Sequence, residues 1–144
     1  MNNKEYSKLV KEKSPKSKVY KTFPKAFLFG GTICLIGEFV RQFFLNSTEV
    51  TELQASALTS ITMIFLGALL TGIGVYDKLG KHGGAGTAVP ITGFANSIVS
   101  PAIEHKSEGL VLGVGAQMFK IAGPVLVYGT LSSVIVGLIY YFIL

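Results

Sequence analysis

Residues 83–103 read GGAGTAVPITGFANSIVSPAI, a run with no charged side chain that is long enough to cross a bilayer. It does not read as an ordinary crossing. Its glycines and the prolines Pro90 and Pro101 leave backbone groups outside any helical ladder. In hydrocarbon each such group costs on the order of several kcal/mol, so irregular backbone is tolerated at depth only where protein or a watery cavity surrounds it. The stretch therefore predicts a re-entrant or discontinuous helical segment.

The rest of the chain fits a membrane setting. Its 144 residues are 49% hydrophobic and 15% charged, a balance foreign to a soluble domain of this size. There is no tryptophan, so an interfacial aromatic belt falls to Tyr76, Tyr128, Tyr140 and Tyr141. The lone Cys34 has no partner for an internal disulfide, and His82 and His105 stand too far apart for metal-ligand spacing. No metal site and no cofactor are expected.

Residues 1–25 hold eight lysines against Glu5 and Glu12. By the positive-inside rule this tail is cytoplasmic, and its position beside a membrane segment favours anionic headgroups over nucleic acid as its partner. It is also longer than the n-region of a signal peptide, so the segment after it is expected to stay in the mature protein.

Residues 26–45 are of spanning length although they contain Glu38 and Arg41. Either the helix leaves the hydrocarbon near Glu38 or the pair faces a protein interior or aqueous cavity. Residues 46–54 make a polar outer loop, and 55–76 return the chain to Asp77, Lys78, Lys81 and His82. Residues 109–119 are too short to span and suggest a short re-entrant element, and 121–144 form a last crossing. The expected fold class is an all-α integral membrane protein with about three full transmembrane helices, plus broken or re-entrant segments between the second and last spans. Its organisation is a basic tail, 1–25, and a single helical membrane domain, 26–144.

Small residues stand four apart at Ala68 and Gly72, at Gly93 and Ser97, at Gly109 and Gly113, and along Gly129, Ser133 and Gly137. Such faces let helix backbones approach closely, within the chain or between subunits. AVPITGF at 88–94 and AGPVLVYG at 122–129 faintly echo one another, as paired broken helices do in transporters.

Chemical motifs are few. His82-Gly83-Gly84 has no nucleophile elbow to serve, and Gly80-Lys81-His82 lacks the hydroxyl of a phosphate loop. Glu104 and Glu108, with Asp77 as a third donor, give a weak calcium signal, and a solvated cluster reads better. No catalytic constellation is present, and the chain is expected not to be an enzyme. More informative are Thr87, Thr92, Asn96, Ser97 and Ser100, which offer hydroxyls and an amide without net charge around Pro90 and Gly93. A helix starting at Pro90 would add unpaired N–H groups and a positive dipole end, a setting for an anion or its metal complex. Lys120, between two apolar runs, lies at the cytoplasmic surface or, if buried, in the solute path.

The run GAGTAVPITGFANSIVSPAIEHKSEGLVLGVGAQMFKIAG at 84–123 resembles the SpoVAC/SpoVAEb family of sporulation membrane proteins, and LLTGIGVYDKLG at 69–80 extends the likeness. The GAG…VPIT core is shared by the AC and AE types, and the long basic tail favours the AC type. The resemblance implies a multi-pass subunit in the inner forespore and spore membrane of an endospore-forming bacterium. With an AE-type membrane subunit and a soluble AD-type subunit that binds dipicolinate, it would carry dipicolinic acid, with calcium, into the forespore and out during germination. A non-conducting membrane scaffold for soluble partners, or a tension-gated channel acting alone, are the rival readings.

Overall fold

The computed structural model describes residues 3–13 and 19–143, and the rest of the tail lies outside the described residues. Among the described residues the chain is helical throughout, without a strand. It begins with α1 (Asn3–Lys13), and the first long helix is α2 (Val19–Ser47). This helix starts about two turns before the apolar run, because lysine-rich helix costs nothing outside hydrocarbon, and Pro24 sits inside it near its start. At 29 residues it is about 43 Å long, more than the bilayer core requires.

The second long helix is α3 (Glu52–Gly72). It starts three residues before the apolar run because Thr51 and Gln54 form a capping box: Thr51 N–H donates to Gln54 Oε1 at 2.9 Å, and Gln54 N–H donates to Thr51 Oγ1 at 3.4 Å. It ends at Gly72, before the expected Tyr76. Gly74 takes φ +71°, with Gly74 N–H bonded to Thr71 O and Val75 N–H bonded to Leu70 O, the paired closure that stops a helix on a left-handed glycine. Tyr76 belongs instead to the next helix.

The broken segment is three short helices: α4 (Tyr76–Gly83), α5 (Ala85–Ala88) and α6 (Ile91–Glu104). Gly84, at φ +51° and ψ −125°, turns the chain between α4 and α5 in a conformation that a side chain would strain. Pro90, extended at φ −60° and ψ 161°, opens α6.

Past a 3₁₀ turn at Lys106–Glu108, the chain differs from the expected short re-entrant element. A π-helical stretch, Leu110–Gly115, runs directly into α7 (Ala116–Ile143), giving one helical run of 34 residues. In the π stretch Gly109 O accepts from both Gly113 N–H and Val114 N–H. Lys120 and Pro124 both lie inside this helix, since a proline removes one bond while a full break would expose several backbone groups. Pro90 thus starts a helix and Pro124 rides within one, which removes the suggested echo between their segments.

The core joins α3 to α6. Gly67 of α3 is packed on α6 closely enough that the Thr92 backbone stands where a side chain would. α2 lies against α3 and α5, with Gly86 closed on the Ala26 carbonyl. α7 buries no residue, and Gly129 and Gly137 face open space. Among the described residues three helical runs are long and apolar enough to cross a membrane: Val19–Ser47, Glu52–Gly72 and Leu110–Ile143.

Candidate functional site

Two sides of the broken segment have different chemistry. On its inner side the Tyr76 hydroxyl lies 2.8 Å from Thr87 O and 2.8 Å from Thr92 Oγ1. The phenol has one proton. With Thr87 O as its acceptor, it accepts in turn from the Thr92 hydroxyl. Thr87 Oγ1 donates to Gly84 O at 2.9 Å. All three residues are buried, Thr87 to 2% exposure, and every hydroxyl has a partner. Thr87 and Thr92 therefore hold α4, α5 and α6 together. Gly93 serves the same end, its Cα facing the Thr87 and Ala88 carbonyls with no room for a side chain.

On the other side two hollows form a furrow along α6. The first, about 420 Å³, is lined by Gly80 and Gly84 beside Gly93, Asn96 and Ser97. The second, about 250 Å³, is lined by Thr71, Ser100 and Glu104, and Asp77 borders both. Asn96 and Ser97, then Ser100, then Glu104 lie three or four residues apart, which places them on one helical face. Thr71 Oγ1 donates to Gly67 O at 2.7 Å and lies 2.8 Å from the Asn96 amide. A hydroxyl with a single proton satisfies both contacts when Asn96 presents its NH₂ group, which leaves the amide oxygen to the furrow. Ser97 Oγ donates to Phe94 O at 2.7 Å and keeps its acceptor lone pairs.

Of the residues singled out from sequence, Gly93, Asn96, Ser97 and Ser100 thus line one furrow, and Pro90 sets the start of the helix that carries them. Thr87 and Thr92 are buried and spend their hydroxyls within the broken segment, and Thr87 also borders the first hollow. Lys120 is exposed on α7 and lines neither hollow. Sequence reasoning missed Thr71; of the weak acidic grouping Glu104, Glu108 and Asp77, the second hollow brings together Asp77 and Glu104 and not Glu108. The furrow is lined by two carboxylates and no basic side chain. Among the described residues no group of three or more acidic, histidine or cysteine side chains converges as a metal site.

Residues 22–139 match the family model described as SpoVAC/SpoVAEB sporulation membrane protein. The chain belongs to that family. One relative, Stage V sporulation protein AC of Bacillus subtilis (strain 168), is 49% identical over 134 residues, which cover 93% of this chain and 89% of the relative. No solved structure matches the chain. The family match begins within α2 and takes in the whole broken segment and nearly all of α7, so the furrow lies inside the matched region.

Proposed function

We propose that this sporulation membrane protein is a subunit of a conduit for dipicolinic acid with calcium, acting in uptake into the forespore and in release during germination. The observation that carries the reading is the furrow, an irregular helical segment in a membrane chain whose lining sets amide, hydroxyl and carboxylate groups among its apolar side chains. Asn96, Ser97 and Ser100 offer a passing solute hydrogen bonds without the grip of a fixed cation. Asp77 and Glu104 oppose a free dianion and suit its calcium chelate, in which the metal offsets the carboxylate charge.

A furrow open on one side needs a further wall, and an AE-type membrane subunit is the proposed one, with a soluble AD-type subunit delivering dipicolinate. The cytoplasmic tail and the inner spore membrane as location belong to the same proposal. The experiment is to fill the furrow without touching the core. Spores carrying Ser97→Phe with Ser100→Phe are expected to contain several-fold less dipicolinate at unchanged membrane levels of the protein. Normal dipicolinate in those spores favours the scaffold reading, and stretch-activated currents from the purified chain alone favour the tension-gated one.

A further inference from the structure

We propose that the apolar groove between α2 and α3 binds one acyl chain of an anionic phospholipid, with the basic face of α4 meeting the headgroup. The groove encloses about 360 Å³ between Ile33 and Ile36 of α2 and Met63, Leu66 and Leu70 of α3. Its walls are two of the helices long and apolar enough to cross the bilayer, so a lipid chain reaches it from the side.

Water is a poor occupant, because a buried water needs two to four polar partners. The hydroxyls along the groove are already spent. Thr32 donates to Leu28 O at 2.8 Å, Thr87 to Gly84 O, and Tyr76 and Thr92 satisfy one another and Thr87 O. The lining on α2 runs from Leu28 to Ile36, about 12 Å of rise, and an extended hydrocarbon chain is an occupant whose polarity matches that lining.

The charge around one end identifies the headgroup. Leu79 of α4 lines the groove, and Lys78 and Lys81 are exposed on the same helix. A second hollow, lined by Thr22, Phe23, Ala26, Lys81 and His82, lies on the far side of the contact between Gly83 and the Phe29 side chain, which lines the groove. Asp77, the acidic residue of α4, borders the furrow on the other side and not this groove. Lysines at the end of an apolar slot match a phosphodiester followed by its acyl chain.

The absence of native tryptophan gives a direct test with the full chain in vesicles. An Ile36→Trp probe reports the groove, and a Leu35→Trp probe reports bulk lipid, since Leu35 is 72% exposed on α2. Phosphatidylglycerol with brominated tails is expected to half-quench the Ile36→Trp probe at a several-fold lower mole fraction than brominated phosphatidylcholine does. The Leu35→Trp probe should not distinguish the two lipids. Lys78→Gln with Lys81→Gln should abolish that preference. Equal curves for the two probes, no quenching of Ile36→Trp, or a preference that survives loss of both lysines overturns the assignment. Native mass spectrometry of the unsubstituted chain adds a readout free of substitution: one phosphatidylglycerol should persist through delipidation, and its absence also overturns the proposal.

Discussion

The Thr92 hydroxyl and the Tyr76 phenol lie 2.8 Å apart, joining the first turn of α6 to the start of α4 across a break in the helical ladder. A short hydrogen bond between buried groups replaces backbone bonds that the broken segment gives up. Tyr76→Phe leaves the Thr92 hydroxyl and the Thr87 carbonyl without their partner, and is expected to destabilise the chain by about 1–3 kcal/mol. Thr92→Val keeps the shape and leaves Tyr76 donating to Thr87 O, so its cost should be smaller. Thermal unfolding of the two variants in detergent checks the order.

The glycines separate into packed and open positions, with opposite consequences for a methyl group. Gly67→Ala and Gly93→Ala drive a Cβ into the backbone of Thr92 and of Thr87 and Ala88, which cannot move aside, so both should lose folded protein. Gly129→Ala and Gly137→Ala meet nothing within 4 Å and replace a poor helix former, so they should leave unfolding unchanged or stabilise by up to about 1 kcal/mol. If Gly129→Ala instead disrupts an isolated complex at unchanged folding, that face of α7 meets another subunit.

Glu38 and Arg41 form a two-pronged pair, with Nε and one terminal nitrogen each 2.9 Å from a carboxylate oxygen and Gln42 as a third donor to Glu38. The pair sits on the outside of α2 and joins no furrow or groove. Arg41→Ala, which strands the carboxylate on a membrane helix, is therefore expected to lower membrane yield. Exchange of the two charges, Glu38→Arg with Arg41→Glu, should restore most of it, as read by quantitative immunoblotting of membrane fractions.

The three long helices were legible in the sequence because hydropathy follows directly from side chains, and the broken segment was legible because Gly84 and Pro90 cannot serve an uninterrupted helix. The join of 109–119 to the last helix was not. Lys120 and Pro124 look like punctuation in a linear reading, but the cost of exposing backbone in hydrocarbon outweighs one missing bond. Within the site, sequence identified the polar positions and not their directions. Thr92 and Asn96 lie on one short helix, yet Tyr76 claims the first and the furrow receives the second, a division set by contacts 16 and 25 residues away in the chain.

That division also decides which substitution is informative. Filling Thr92 breaks the core and says nothing about a path, whereas Ser97 and Ser100 project into the hollows and leave the Tyr76 cluster intact. The most direct measurement is the dipicolinate content of spores whose own copy carries Ser97→Phe and Ser100→Phe, alongside the amount of the protein in their membranes. The furrow account predicts a several-fold loss of dipicolinate at normal protein level; full dipicolinate at normal protein level would contradict it.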